Sequence, residues 1–347
     1  MASITSTSVP VLDGAKNIRE DLGNVIFNVT PFQTPFTSGI AQTKATADTH
    51  EWLTDTLAVA VSDNAVVEAG DPIAAVAGTT RTRKGNFIQI ADSSVVVTNK
   101  AEFMDRAGVP GREMAYQLMK KGKELQMDVE KQTLGAYGLT SPTVAATIGA
   151  TKRQGTSALP GVSASFGSWI LTNQEINAAT NAVKNTASDG TTVPVIGSGG
   201  TATNLINQTK MDNLLDGVWN SSGDFGSLKL MASAGTVSSL RNELSGMADN
   251  VDSNLNGNST NGGNIISRVA VYVSQFGPVA VVPNKHMPAN TLYAVDYSTW
   301  GLAFAGGKKI HTTDIATRTS AEQKLLECYY TLECRSEEAN GAYYNIT

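Results

Sequence analysis

Charge is scarce in this chain. Asp, Glu, Lys and Arg make up 16% of 347 residues, against about 25% in an ordinary soluble domain. Ser, Thr, Asn, Ala and Gly take their place. Such a surface repels copies of itself weakly, which suits an ordinary monomer and equally a protein that packs against many copies of itself. The net charge is −5 and the basic residues are dispersed. Without a Lys/Arg block there is no footprint for sequence-specific nucleic-acid binding. Enclosing nucleic acid without gripping it stays open.

Cysteine is nearly absent. Cys328 and Cys334 lie six apart in an apparent strand, on one face but roughly 20 Å from each other, too far to bridge. No CxxC and no zinc spacing occurs, so free, buried thiols in a reducing compartment are expected. The opening "MASITSTSVPVLDG" lacks a basic n-region and an apolar h-region, so a signal peptide is not expected. No run approaches about 18 apolar residues, so no membrane-spanning helix is expected. A soluble protein made inside the cell fits these features.

Catalytic constellations are missing as well. The three histidines, His50, His286 and His311, fall in separate segments and none pairs with another nearby. His50-Glu51 opens like HExxH, but Thr54 stands where the second zinc ligand belongs. "GLAFAGGKK" (301–309) resembles a P-loop with its lysine one place late and no hydroxyl for magnesium. "GSGGTA" (197–202) is not GxGxxG, and no GxSxG elbow exists. No catalytic, cofactor-binding or metal site is expected, and the chain reads as a non-enzyme. His286, between Pro283 and Pro288, reads as a turn residue in a segment that the two prolines stiffen.

What is present has a clear order. Residues 1–45 are Ser/Thr-rich, then briefly amphipathic, then "TPFQTPF", where Pro31 and Pro35 favour extended chain. Phe27, Phe32 and Phe36 would be exposed on an isolated arm and need a surface, on this chain or a neighbour. Residues 46–100 alternate like strands: "HEWLTDTLAVAVSD", then "TTRTRKGNFIQIADSSVVVTN" as two strands about a Lys84-Gly85-Asn86 turn. So little apolar content suits a long hairpin leaning on something else. Residues 101–140 hold a spine helix of some 25 residues, roughly 40 Å long. Its signals are Pro110 in the first turn, Gly135 and Gly138 as stops, and a stripe of Met114, Leu118, Leu125, Val129 and Ala136. Gly122 in mid-helix costs about 1 kcal/mol; close approach of another backbone or simple tolerance would account for it.

Residues 141–204 read as a Gly/Ser/Thr-rich insertion or loop region with one helix, "SWILTNQEINAATNAV". Residues 205–310 form an α/β unit. It holds a helix marked by Ile206, Met211, Leu214, Leu215 and Val218 with Thr203 as cap, the strand "SLKLMAS", the helix "GTVSSLRNELSGM", and two strands about Gly277-Pro278. Residues 311–347 alternate as closing strands.

Four segments carry a resemblance. "IREDLGNVIFNVTPFQTPFTSGI", "GREMAYQLMKKGKELQMDVEKQTL", "FGPVAVVPNKHMP…LYAVDYSTWGLAF" and "LECYYTLECRSEEANGA", in this order, resemble the SU10-like family of tailed-phage major head proteins. That resemblance implies an α+β HK97-like capsid fold: an N-terminal arm, an E-loop hairpin, a peripheral domain on the spine helix, an axial domain, and closing strands returning to the peripheral domain. It implies a virion shell subunit, assembled in the host cytoplasm into hexamers and pentamers around double-stranded DNA. Scaffolding protein, portal and decoration proteins are the expected partners, with no membrane and no cofactor. A separate scaffolding protein is expected, because no fused segment precedes the matching arm. An encapsulin-like nanocompartment shell or a head decoration protein are the alternatives. For the inter-subunit contacts, Arg81, Arg83 and Lys84 on the hairpin are expected to meet carboxylates of a neighbour, with Glu68 and Asp71, or the acidic end of the spine helix, as counterparts. Phe32 and Phe36 are expected to supply apolar contacts.

Overall fold

The structure is a computed structural model. It describes residues 32–58, 80–104, 111–135, 146–147, 149–177, 182–196, 206–222, 225–240, 271–316 and 320–346, with isolated positions between 58 and 80. The chain enters through a single helical turn, α1 (Pro35–Gly39), whose proline has the fixed φ suited to a first helical position. Strand β1 (Ala41–Ala45) follows, then β2 (Thr49–Thr54), β3 (Thr82–Phe87) and β4 (Gln89–Thr98). Thr98 caps α2 (Asn99–Phe103) by accepting the Ala101 N–H at 3.3 Å.

The spine helix, α3, runs Glu113–Thr133, 21 residues or about 31 Å, shorter than the spacing predicts. Met114, Leu125 and Val129 are buried as expected and Leu118 packs against them at the edge; Pro110, Ala136 and Gly138 lie outside the described residues. Gly135 ends it with φ +100°, and a Cβ there would stand 3.1 Å from the Gly149 backbone, so a glycine is needed. Gly122 meets nothing closer than Leu326 Cδ2 at 3.8 Å. Among the described residues no backbone approaches it, so close backbone approach does not account for this glycine there.

Two sheets carry the rest. The five-stranded sheet is organised on β14 (Ala321–Cys334), the longest strand at 14 residues. Tyr330 pairs with Gln89 of β4 on one side and with Phe304 on the other. Along that second side lie β12 (Trp300–Ala305) and β13 (His311–Ile315), and β1 runs parallel to β12. From Leu326 on, even-numbered residues of β14 point to the core, so Cys328 and Cys334 share one face as free, buried thiols. Burial raises the Cys328 thiol pKa to about 12 and that of Cys334 higher still.

The six-stranded sheet has the order β6 (Gln174–Ile176), β15 (Gly341–Tyr344), β11 (Thr291–Asp296), β8 (Leu228–Ala232), β10 (Gly277–Pro283), β9 (Val271–Ser274). A short pair, β5 (Ala146–Thr147) with β7 (Val195–Ile196), stands apart. Helix α4 (Gln208–Ser222) lays Met211, Leu214, Leu215 and Val218 on this sheet, against Leu230, Leu292 and Tyr343. Its N-terminus is at Asn207, whose side chain accepts the Thr209 N–H at 2.9 Å, not at Thr203, which lies outside the described residues. Residues 234–240 form about two more helical turns; the rest of that expected helix is outside the described residues. The turn between β9 and β10 is Gln275-Phe276, with Gly277 already paired to Ser274.

Four sequence expectations are corrected. Lys84-Gly85-Asn86 is not a turn. β3 runs straight through it, opposite β2 from Thr49↔Phe87 to Thr54↔Thr82. After Ile88, β4 joins the five-stranded sheet on β14 instead of the hairpin. Gly85 is there because a Cβ would lie 2.8 Å from Glu51 Cγ on the facing strand. The helix expected over 168–183 is also absent from its described residues: Gln174–Ile176 is a strand parallel to β15. The region read as insertion or loop carries core instead. Phe166 is stacked between Tyr293 of β11 at 4.3 Å and Trp300 of β12 at 4.5 Å between ring centres, joining the two sheets. Finally, the closing strands divide: β14 stays in the five-stranded sheet, while β15 crosses to the six-stranded one.

Candidate functional site: the hairpin, its seat and the arm

β2 and β3 form a two-stranded ribbon, and a ribbon of this size is marginal unless it rests on something. Its base rests on the body through residues from both strands. Trp52 Nε1 donates to the Cys334 carbonyl at 2.7 Å, and its ring lies 5.3 Å from that of the buried Trp169. His50 Nε2 stands 3.4 Å from Glu333 Oε2, which also accepts Thr43 Oγ1 at 3.2 Å. Arg335 Nε holds the other oxygen, Oε1, at 3.1 Å. Burial pushes the Glu333 carboxyl up, but the hydrogen bonds and charges of His50 and Arg335 outweigh it and hold the pKa at about 2.

From β3, the Asn86 side chain donates to the Leu332 carbonyl at 2.8 Å and to Ser163 Oγ at 3.0 Å, and accepts the Ala164 N–H at 2.9 Å. Lys152 Nζ reaches the Gly85 carbonyl at 3.2 Å. Lys84, expected at a subunit contact, donates to Ser188 Oγ of its own chain at 3.3 Å. The seat is thus built by the end of β14 and by residues 152–188.

Beyond the seat the ribbon faces outward. Arg83 pairs with Glu51 across the strands, and Arg81 Nε lies 3.6 Å from Asp55 Oδ2. Both guanidinium side chains remain 69–70% exposed. Among the described residues their partners within the protomer are Glu51 and Asp55; Glu68 and Asp71 are the counterparts expected on a neighbour. Glu68 is exposed and Asp71 lies outside the described residues. Leu53 and Leu57 are exposed on the same stretch, Leu57 almost completely.

The arm divides at Pro35. Phe32 is 41% exposed, beside an open cavity of about 730 Å3 whose lining includes Pro35, Ala234, Pro283 and Lys285. Phe36 is corrected as a subunit contact: it is fully buried in its own chain, edge-on to Phe166 at 5.9 Å and to Trp300 at 6.0 Å. The surface it needed is the aromatic slab between the two sheets. Phe27 is outside the described residues.

Glu130 of α3, buried to 0% exposure, accepts the N–H groups of Phe36 and Thr37 and the side-chain amide of Asn284. Asn284 in turn accepts the His286 N–H at 2.8 Å, so His286 sits in a tight turn between β10 and β11. Nothing local marks Glu130 in the sequence; a carboxylate beside Val129 reads as the helix's wet flank. Trp52 and Glu333 were missed for the same reason, since their partners lie about 280 residues away.

Among the described residues no group of three or more His, Cys, Asp or Glu could hold a metal ion, and no helix is long and apolar enough to cross a membrane. What the geometry provides is a projecting charged ribbon on a well-anchored base, which is a means of making contact.

Comparison with known proteins gives the family and the fold. A model of the family described as SU10 major capsid protein matches residues 4–347. The major capsid protein of Escherichia phage Phieco32 is 35% identical over 119 residues, 34% of this chain and 33% of that protein. The match thus spans about a third of the curated relative. Among solved structures, the capsid of a native GTA particle aligns with a TM-score of 0.57 at 10% identity, covering 99% of this chain and all of that one. The cyanophage A-1(L) capsid gives 0.56 at 12% identity, covering 98% of this chain and 100% of the other. The cyanophage P-SCSP1u capsid gives 0.54 at 10%, over 94% and 93%. At such identities the likeness shows the fold, which is the HK97-like α+β capsid fold.

Proposed function

The chain belongs to the SU10 major capsid protein family, a family of phage shell proteins and not of enzymes, and from that premise we propose how it works. It is the repeating subunit of an icosahedral phage head, assembling into hexamers and pentamers in the host cytoplasm and enclosing double-stranded DNA without reading its sequence. The observation that carries this reading is the match of one family over residues 4–347. The low charge and the outward ribbon of Arg81, Arg83, Leu53 and Leu57 support it.

Assembly is the activity to be explained. Many weak contacts, each reversible, let misplaced subunits leave and make the closed shell cooperative. A ribbon whose base is already fixed loses little conformational freedom when a neighbour docks, which lowers the cost of each contact. Arg81 and Arg83 are held loosely by their own carboxylates in water, so exchange to a neighbour's carboxylates costs little. Lys84, occupied at the seat, is the weakest of the three candidates for a neighbour contact. Glu68 and Phe32, both exposed, remain candidates. Scaffolding, portal and decoration proteins are the further partners this reading calls for.

The test is negative-stain microscopy of the purified chain, alone and with a candidate scaffolding protein. Closed shells or rings of five and six subunits are expected. A persistent monomer or trimer under both conditions would refute the assembly.

A further inference from the structure

The turn that follows β12 carries two glycines and two lysines, in the segment whose sequence resembles a misplaced P-loop. Gly306 and Gly307 have φ of +61° and +78°, so the turn needs residues free to enter the left-handed region. The Gly306 N–H donates to the Ala45 carbonyl at 2.9 Å and fastens the turn to the end of β1. The stem of Lys44 lies along it, since a Cβ on Gly307 would stand 3.7 Å from Lys44 Cδ. The parallel pairing of β1 with β12 thus gathers Lys44, Lys308 and Lys309 at one end of the five-stranded sheet, from opposite ends of the sequence.

All three lysines are exposed, and none has an ion pair or hydrogen bond among the described residues. No Asp or Glu occurs in 41–47 or 301–310. Elsewhere the pattern differs. Lys121 pairs with Glu124 at 2.6 Å and Lys324 with Asp314 at 3.2 Å. The exposed Lys120, Lys123 and Lys131 of α3 are interspersed with Glu124 and Asp128.

We propose that Lys44, Lys308 and Lys309 form a contact for the phosphate backbone of duplex DNA, and that this end of the sheet is turned toward the enclosed genome. The proposal rests on the shell reading for why DNA lies there; the binding is a property of the single chain. The surroundings decide between a phosphate and a protein partner. Protein interfaces are built around aromatic or aliphatic anchors and are poor in lysine. Among the described residues no exposed large apolar side chain falls in 41–48 or 305–310. Phosphate contact needs no such anchor. A lysine serves it as a point charge on a flexible stem, and glycines let a bulky polyanion come close to the backbone. A Cβ on Gly306 would meet nothing within 4 Å, so the approach is open. Contacts of this kind fix position without reading bases, and each phosphate neutralised releases counterions, which makes binding weak and salt-sensitive.

The test is fluorescence anisotropy of a labelled duplex of mixed sequence, titrated with the full-length unassembled chain at several salt concentrations. Wild-type binding should be weak and fall with rising salt. Lys44→Gln with Lys308→Gln and Lys309→Gln should make the slope of log K against log salt shallower by roughly 2–3, since each lost phosphate contact removes about 0.9. Lys120→Gln with Lys123→Gln and Lys131→Gln makes the same change in net charge on α3 and should leave the slope near wild type. Lys308→Arg with Lys309→Arg keeps the charge and should bind as the wild type does, which separates lost charge from a damaged turn. No binding by the wild type at low salt, or an equal change of slope in the two triple variants, would overturn the contact. So would labelled polyglutamate whose binding needs the three lysines while that of the duplex does not, since the partner would then be an acidic protein. Shell formation does not enter the readout. A chain that forms shells yet fails here loses only this contact, and one that binds duplex but never assembles loses only the shell reading.

Discussion

The carboxylate of Glu130 accepts the backbone N–H of Phe36 at 2.9 Å across 94 residues of sequence. Through its other contacts it also holds Thr37 and Asn284. One buried side chain of the spine helix thereby fixes the arm's entry turn and the corner between β10 and β11. Glu130→Ala would leave two buried donors and one partly buried donor without their acceptor. It should destabilise the chain by roughly 2–4 kcal/mol, read as a shift in denaturation midpoint at constant slope. Asn284→Ala in the same background should add less than it costs alone, because the two residues share one network.

Phe166 makes the sharpest claim about the region that reads as loop. Truncating it to alanine removes a ring stacked on both Tyr293 and Trp300, and a cost of about 3–5 kcal/mol is expected. Leu159→Ser, only a few residues earlier but exposed, should change stability by no more than about 0.5 kcal/mol. Equal effects from the two would mean that this segment is not core.

That contrast shows what the sequence could reveal. α3, α4, β8 and the β9–β10 pair were legible because each buries one periodic face, and periodicity is a local property. Phe166, Trp169 and Ile170 were not, because they sit in irregular backbone with no period to read. Their burial comes from partners on β2, β11 and β12. Lys84-Gly85-Asn86 misled for a related reason. Glycine there answers to Glu51 on the facing strand, and a close cross-strand approach looks in sequence like a turn. The ribbon's arginines were singled out from the sequence as contact candidates, but Glu51 and Asp55 as their partners follow only from the β2–β3 pairing.

Gly122 offers a test in the opposite direction. With Leu326 Cδ2 the nearest atom at 3.8 Å, alanine fits, and its better helix propensity should raise stability by about 0.5–1 kcal/mol. Thermal melts of the unassembled chain measure this directly. A loss of stability would mean that the helix needs the smaller residue.

Glu333 should make the seat acid-sensitive. Its carboxyl is held at about 2 in the folded chain against an ordinary 4.5, so the unfolded state binds the proton first as pH falls. Its contribution is then complete above the unfolded value and lost on descent through the folded one. Glu333→Gln should melt below the wild type near neutral pH, with the gap closing between about pH 5 and about pH 2. A gap that stays constant over that range would show that the charge of Glu333 adds nothing.

Arg81 and Arg83 separate folding from assembly. Each is paired on its own ribbon and about 70% exposed, and exposed pairs contribute roughly 0–1 kcal/mol. Arg81→Glu with Arg83→Glu should therefore leave the melting of the free chain nearly unchanged. The reversal places like charges beside Asp55 and Glu51, a small local cost that salt screens. If a neighbour's carboxylates take over these guanidiniums during assembly, the same variant should assemble poorly at low salt and recover partly as salt rises. Light scattering during assembly, at several ionic strengths, measures both. Normal assembly of the double reversal at every salt concentration would leave the ribbon's arginines as solvated flanks. The exposed Leu53 and Leu57 would then be the groups to vary next.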